Sequence, residues 1–488
     1  MKTLHDIVST LDIQTLIGNT QLPILSLCLD SRQVQSGSCF FAIHGEANDG
    51  HQFIDKAIKQ GAVAVVCQEL PKQQSPAVTY IQVRDSSYAV GICADSFYDH
   101  PSQKLKLVGI TGTNGKTTTV TLLHTLFREL GYKTGLLSTI QNRINDRIIP
   151  STHTTPDAIH LNTLLHEMVT EGCTHAFMEV SSHAIVQHRI SGITFTGGIF
   201  SNLTHDHLDY HKTFDTYLKA KKQFFDALPK TAFALTNMDD KNGQIMVQNT
   251  TARIVTYAVR QLADFHCKVI ENTFEGLHLN IHNTDVYIRL IGLFNAYNFV
   301  AIYATAFLLG EDAEAILPVI SGLSSAAGRF EQVTSPKGVT AIVDYAHTPD
   351  ALSNVLSTIN EIRRGTETLI CVVGCGGNRD SAKRPIMARI ACENSDKIIL
   401  TSDNPRREDP QSIIDQMLEG VASQHKSKVV CILNREEAIH TATLLAQMGD
   451  ILLVAGKGHE TYQEINDIRH HFDDKEILNK YLNPQSSK

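Results

Sequence analysis

The sequence predicts an α/β protein of three units: a small N-terminal α/β unit, a central parallel sheet, and a C-terminal Rossmann-like unit. Three observations carry this. Short apolar runs alternate with longer amphipathic stretches, the pattern of β-α-β units. A length of 488 residues leaves room for roughly two to four domains. One apolar run, Leu105 to Ile110, leads into the turn Gly112-Thr113-Asn114-Gly115-Lys116-Thr117-Thr118 and then a helical stretch.

That turn organises the chain. Glycines let successive N–H groups converge on one point, and a helix N-terminus there favours an anion. Lys116 adds a full charge, and the Thr117 hydroxyl suits Mg²⁺ beside a triphosphate. The central unit is therefore read as P-loop ATPase-like. The spacing departs from the general phosphate-loop pattern, since Ile110 stands where that pattern has glycine.

Composition excludes several classes. The formal charge of -8 gives no basic field for nucleic acid or an anionic membrane. No apolar run approaches the ~18 residues of a membrane span, and Asp6 and Asp12 interrupt any leader-like stretch. The 10 Cys are scattered without paired spacing and read as small core residues of a reduced, cytoplasmic protein. A monomer is expected.

Residues 1–83 should hold strands at Ile24–Cys28, Cys39–Ile43, Val63–Cys67 and Thr79–Val83, with a short helix at Phe53–Lys59. In residues 84–326, Leu123, Leu126, Phe127 and Leu130 fall at i, i+3, i+4 and i+7, which predicts an amphipathic helix over Lys116–Leu130. Strands follow at Gly135–Ile140, His175–Val180 and Gly197–Leu203. In residues 327–488, strands are expected at Val339–Asp344, Leu369–Val373, Lys397–Leu400, Val429–Leu433 and Ile451–Val454, with helices at Ala351–Ile362 and Pro385–Glu393. Parallel sheets bind ligands at strand C-terminal ends, where the phosphate loop, Glu179 and the segment 204–211 all lie.

Each constellation has a chemical reading and a plainer one. Glu179 at a strand end offers the hard oxygen that Mg²⁺ prefers, or is a solvated strand terminus. His205-x-His207-x-Asp209 resembles the metal motif of the metallo-β-lactamase fold, but Tyr210 stands where a further histidine is needed. His207 alone is taken as a ligand. The run Lys219 to Lys222 reads as a solvated basic face. Arg329, Asp344 and His347 open the third unit and could flank a nucleotide. Asp403-Asn404-Pro405-Arg406 follows a strand and suits a carboxylate, which guanidinium grips with two parallel bonds. Gly456 to Glu460 follows the last strand and offers a carboxylate for an ammonium group.

Together these segments resemble the Mur ligase family of ATP-dependent amide-bond-forming enzymes. The resemblance spans nearly the whole chain. It rests on Gly112 to Thr118, Glu179-Val180-Ser181-Ser182-His183, Asn202 to Asp209, Asn295-Ala296-Tyr297-Asn298, Gly328-Arg329-Phe330-Glu331 and Asp344-Tyr345-Ala346-His347. Leu29-Asp30-Ser31-Arg32, Gln187-His188-Arg189, Asp403 to Arg406 and Gly456 to Glu460 are similar to the members that add meso-diaminopimelate. The resemblance implies amide formation between the D-glutamate γ-carboxylate of UDP-N-acetylmuramoyl-L-alanyl-D-glutamate and meso-diaminopimelate, through an acyl phosphate.

The same matching assigns residues. Gly112 to Thr118, Asn298, Arg329, Asp344 and His347 would bind ATP, with Lys116, His207 and Lys221 in the catalytic set. Leu29, Ser31, Glu46, Ala47 and Asn48 would contact the uridine nucleotide. His153, Thr154, Thr155, Ser181, Gln187 and Arg189 would hold the muramoyl-dipeptide; His153 departs from the asparagine often found there. Arg384, Asp403, Asn404, Pro405, Arg406, Gly456 and Glu460 would take diaminopimelate, with Arg384 and Arg406 clamping its distal carboxylate. Mg²⁺ would be held by Thr117, Glu179, His207 and Lys221, the last carbamylated to N6-carboxylysine. An acyl phosphate must be kept from water, so the third unit is expected to close on the second.

Overall fold

In the computed structural model the described residues are 2–45, 48–151, 153–204, 206 and 208–483, with backbone alone at 208 and 209. Glu46, Ala47 and His207, three of the expected site residues, lie outside them.

The N-terminal unit carries a five-stranded sheet in the order Ile13–Ile17, Thr79–Val83, Ala62–Cys67, Ser38–Phe41, Ser26–Cys28. Only the first pair is antiparallel. Its core includes Leu4, Ile7, Phe41, Val66 and Ile81. The helix Ser86–Phe97, which the sequence reading places beyond residue 83, packs Ala89, Val90, Cys93 and Ala94 into this same core.

The central sheet has 11 strands. Its parallel middle runs Thr134–Leu137, His175–Glu179, Lys106–Thr111, Gly197–Phe200, Phe233–Asn237, Arg253–Ala258, Phe265–Thr273. Antiparallel strands finish both edges: Gln141–Ile144 with Arg147–Pro150 on one side, Gly276–Ile281 with Thr284–Ile288 on the other. The expected sheet is thus parallel around the phosphate loop and antiparallel at its rims.

Alternation along the strand Lys106–Thr111 sorts its side chains to two faces. Val108 and Ile110 pack with Leu123, Leu126 and Phe127 of the helix Lys116–Glu129 and with Phe299 of the helix Leu293–Leu308. Leu107 packs on the other face with Leu161, Leu165, Phe224 and Phe225 from the helices Ala158–Thr170 and Phe214–Asp226. Both faces are therefore covered, as parallel sheets require.

The C-terminal sheet has six strands in the order Glu331–Thr334, Thr340–Asp344, Ile451–Ala455, Leu369–Val373, Lys397–Leu400, Val429–Cys431. All but the first pair run parallel. Asp344 and Val373 both register against Ala455, and Val373 against Leu400. Tyr345, Gly456, Gly374 and Thr401 therefore leave the sheet along one edge. The hairpin Tyr462–Ile465 with Ile468–His471 stands beside that edge. No helix of the described residues is long and apolar enough to cross a membrane.

Candidate functional site

The phosphate loop connects the strand Lys106–Thr111 to the helix starting at Lys116. Gly115 has φ 87°, and a Cβ there would lie 2.5 Å from Asn298 Oδ1. That requirement explains both the glycine and the buried Asn298, whose Nδ2 donates to Asn295 Oδ1 at 2.9 Å. The loop is tied to the neighbouring strand's exit, since the Thr113 and Asn114 N–H groups donate to Asn202 O (2.8 Å) and Oδ1 (2.9 Å).

Two lysines crowd this loop. Lys116 Nζ donates to Gly112 O and Thr113 O at 2.9 and 2.8 Å. Lys221 Nζ, 1% exposed, donates to the same Gly112 O at 2.8 Å and lies 4.8 Å from the Tyr217 ring centroid. Burial, and then the charge of Lys116, drives the Lys221 pKa well below the ordinary lysine range. Burial lowers Lys116 too, against the pull of Glu179 and Asp206. The basic run Lys219 to Lys222 is thus not one solvated face: Lys219 is exposed while Lys221 is buried.

Glu179 joins the phosphate loop to a second cluster. It accepts from Thr117 Oγ1 at 2.8 Å, from Thr139 N at 2.8 Å and from Thr139 Oγ1 at 3.2 Å. Thr139 Oγ1 also reaches Thr154 Oγ1 at 3.1 Å. Thr155 Oγ1 donates to Glu179 O at 2.8 Å and lies 3.4 Å from Ser181 Oγ. Arg189 Nη1 donates to Thr155 O at 2.8 Å, and its Nε and Nη2 to Gln187 Oε1 at 3.0 and 2.6 Å. Five residues expected to hold one ligand, Thr154, Thr155, Ser181, Gln187 and Arg189, therefore form one network with the phosphate site. His153 O accepts from Ser151 Oγ at 2.9 Å in the loop alongside.

The donor set at Glu179 is oxygen-rich: a buried carboxylate with the Thr117 hydroxyl beside the phosphate loop. This fits a hard divalent cation. A second group, His44, Asp49 and His51, also brings ligand atoms together. His51 Nε2 accepts the Gln68 N–H at 3.0 Å, which leaves the ring proton on Nδ1, 2.7 Å from Asp49 Oδ1. That ring has no free lone pair toward a cation, so the group serves as a turn cap.

In the N-terminal unit Ser31 is buried at the start of the short helix Ser31–Gln33, and Asp30 caps that helix by accepting from Arg32 N at 2.9 Å. Leu29 is half-buried beside it, and Asn48 is exposed with its carbonyl accepting from Gly45 N at 3.0 Å.

The C-terminal unit contributes two groups. Arg329 Nη2 donates to Thr117 Oγ1 at 3.2 Å, and the guanidinium covers the Tyr345 ring at 4.8 Å. Asp344 accepts from Phe330 N at 2.6 Å, and burial raises its pKa to about 6 against the pull of Arg329. Burial, followed by the charge of Lys383, lowers His347 to about 4, so its ring is neutral.

The second group surrounds Asn404. Its Nδ2 donates to Glu460 Oε2 at 2.7 Å, and Lys457 Nζ bridges Asn404 Oδ1 and Glu460 Oε2, both at 3.0 Å. Burial opposes charge on Asp403, yet Lys457 and Arg435 hold its pKa below the usual range. Gly456 permits this contact, because a Cβ there would lie 2.6 Å from Asp403 Oδ2. Arg406 has φ 53°; its Nη1 donates to Gly377 O at 2.8 Å. Pro405 O packs so close to Gly377 that a Cβ on that glycine would overlap it.

Arg384 requires a correction. It is 1% exposed, and its guanidinium is committed to Glu408 at 2.9 and 3.0 Å, Gln416 at 2.7 Å and Gly376 O at 3.2 Å. A buried cation already neutralised by Glu408 braces this loop rather than clamping a ligand. Arg379 is exposed and lies near Arg406: a Cβ on Gly376 would meet Arg406 Nη1 at 3.0 Å and Arg379 Cγ at 3.9 Å. Sequence reasoning also missed Thr139, Asp350 and Lys457. Lys457 stood inside a quoted motif, but nothing in the sequence says that it is 0% exposed.

The family description "Mur ligase middle domain" matches residues 110–306, "Mur ligase, glutamate ligase domain" residues 328–458, and "Mur ligase family, catalytic domain" residues 23–98. The chain is 58% identical over 480 residues, 98% of its length and 99% of the relative's, to the UDP-N-acetylmuramoyl-L-alanyl-D-glutamate--2,6-diaminopimelate ligase of Cytophaga hutchinsonii. It is 56% identical to the protein of that name in Phocaeicola vulgatus, over 97% of this chain and 98% of that one. A solved structure of a ligase with the same name superposes at TM-score 0.69 with 32% identity, covering 100% of both chains. A MurF ligase from Thermotoga maritima in complex with ADP shares the fold at TM-score 0.62 and 17% identity, over 95% and 98% of the two chains. Extended identity over almost the entire length, on a fold that places the phosphate loop and Glu179 together, means that this chain belongs to the Mur ligase family.

Proposed function

We propose that this protein is the ATP-dependent ligase that joins meso-2,6-diaminopimelate to the D-glutamate γ-carboxylate of UDP-N-acetylmuramoyl-L-alanyl-D-glutamate in peptidoglycan precursor synthesis. One observation carries the reading. The hydrogen-bond network through Glu179 connects the phosphate loop at Thr117 to the Thr155, Ser181, Gln187 and Arg189 cluster. A carboxylate held by that cluster is presented to a γ-phosphate held by the loop.

The carboxylate oxygen attacks the γ-phosphorus, the bond to the β-bridging oxygen breaks, and ADP leaves. Lys116 offsets charge on the transferred group, and the loop N–H groups orient it. The amine of diaminopimelate then attacks the acyl carbon, the bond to phosphate oxygen breaks, and phosphate leaves as the nitrogen gives up its proton. Asp403, Asn404, Pro405, Gly456 and Glu460 shape the amino-acid site, with Arg406 on the distal carboxylate. Asn298, Arg329, Asp344 and His347 flank ATP. Leu29, Ser31 and Asn48 face the uridine nucleotide. Thr117, Glu179 and a carbamylated Lys221 would hold Mg²⁺, which when bound neutralises phosphate oxygens. Glu46, Ala47 and His207 are carried by the resemblance alone. We place the first unit boundary after residue 97 and the second near 326, and the protein as a monomer in the cytoplasm, where ATP and reduced thiols coexist.

Phosphate release with ATP and the UDP-muramoyl-dipeptide tests this. Release and amide formation are expected with meso-diaminopimelate, and far less with L-lysine or no amino acid. Equal rates with lysine would refute the specificity. Release without any acceptor would point instead to a simple nucleoside triphosphatase.

A further inference from the structure

Asp350 lies where the central and C-terminal units meet. It stands in the first turn of the helix Pro349–Ile362, which Thr348 caps. A single oxygen, Oδ2, accepts from Asn114 Nδ2 at 2.6 Å, Thr204 Oγ1 at 3.1 Å and Asn354 Nδ2 at 3.2 Å. Asn354 belongs to the helix of Asp350 itself. Asn114 is in the phosphate loop, and Thr204 follows the strand Gly197–Phe200.

Those two partners belong to one body. Asn114 O accepts from Ser201 Oγ at 2.7 Å and Asn202 Nδ2 at 3.1 Å, and Thr204 N donates to Thr113 Oγ1 at 3.0 Å. Asp350 therefore grips the phosphate loop and the neighbouring strand exit at once. A cleft of about 600 Å³ opens beside it, lined by Leu203, Phe214, Lys241 and Pro349 among others. A charged acceptor at this short distance makes a stronger bond than a neutral pair.

We propose that Asp350 is a positioning residue that latches the C-terminal unit onto the phosphate loop, holding the amine against the acyl phosphate and keeping water from it. The inference rests on the ligase reading. Without the latch, water attacks the acyl carbon, the bond to phosphate oxygen breaks, and the original carboxylate returns with phosphate released. ATP is then consumed without product.

The test quantifies phosphate and amide together, using the full chain with ATP, the UDP-muramoyl-dipeptide and meso-diaminopimelate. The unsubstituted protein should release about one phosphate per amide. Asp350→Ala should raise that ratio about threefold or more, because opening admits water. Asp350→Asn, whose amide oxygen still accepts but carries no charge, should fall between. A merely structural residue would lower the rate and leave the ratio alone, so an unchanged ratio in Asp350→Ala overturns the latch. If that variant loses cooperative unfolding, Thr204→Val carries the test by the same ratio, a rise supporting the latch and no change overturning it. If the unsubstituted protein forms no amide, the ligase reading fails instead.

Discussion

Arg406 holds a left-handed backbone that glycine or asparagine would adopt more readily. Its neighbours impose it: the Arg406 N–H donates to Glu464 O at 2.9 Å, and Asn466 N donates to Arg406 O at 2.7 Å. Strain of this kind persists where surroundings over-determine a conformation. Here it fixes the origin of a side chain whose Nη1 is already on Gly377 O. Arg406→Ala should raise the KM for meso-diaminopimelate by about tenfold to a hundredfold, the range of a lost charge-assisted hydrogen bond. The KM for ATP should not follow. Arg406→Lys should recover only part, since ammonium lacks the planar fork. Steady-state kinetics with each substrate varied would check this, and an unchanged KM for the amino acid would remove Arg406 from the site. The motif around Arg406 was legible, but the burial of the arginines near it was not: Arg384 and Arg379 are equally basic in sequence, and only the fold buries one and exposes the other.

Among the elements, the helix Asp474–Leu482 holds one half of a buried ion pair that braces the strand end before Gly456. Arg435 and Asp474 are both 0% exposed and meet at 2.7 and 2.8 Å. Arg435 Nη2 also donates to Ala455 O at 3.0 Å, at the end of the strand that leads into Gly456. Arg435→Met would leave Asp474 buried without its cation and should cost about 3–5 kcal/mol. The double variant Arg435→Met with Asp474→Leu should recover much of that. Urea unfolding of the three proteins would measure it, and a single variant as stable as the parent would refute the role. At this scale, strands and helices with a strong apolar period were readable. The hairpin Tyr462–His471 was not, because its residues are mostly exposed and give no apolar alternation. The three-stranded rim at 265–288 was missed for a related reason: its first strand, Phe265–Thr273, is largely solvated along its second half.

For the whole molecule, acid sensitivity follows from buried neutral histidines. Burial lowers His124 and His175 to about 4, against about 6.5 in an unfolded chain. Both sit where the helix Lys116–Glu129 meets the central sheet: His124 Nδ1 lies 2.8 Å from Thr134 Oγ1, and the His175 ring is 4.7 Å from that of Phe127. A depressed histidine is neutral in the fold and binds its proton more readily when unfolded. Its contribution is therefore intact above pH 6.5 and is lost as pH falls toward 4. The thermal midpoint should begin to fall between pH 6.5 and 5, above the range where ordinary carboxylates titrate. Scanning calorimetry across that interval would test it, and a flat midpoint would refute it.

The sequence by itself determined the class of fold, the phosphate loop and the family, because each is written locally. A strand, a glycine, Gly-Lys-Thr and an amphipathic helix must follow one another in the chain to work. Through resemblance it also singled out Thr154, Thr155, Ser181, Gln187 and Arg189, though not the hydrogen bonds that link them. Only the tertiary structure decided which charges face a ligand and which are spent inside. Lys221 and Lys219 are two residues apart on one helix, yet one is buried against Gly112 O and the other is exposed. Arg384 and Asp350 show the same. Arg384 found Glu408, and Asp350 found Asn114, 236 positions away in the chain. Burial and partnership are properties of the packed chain, set by elements that meet only after folding.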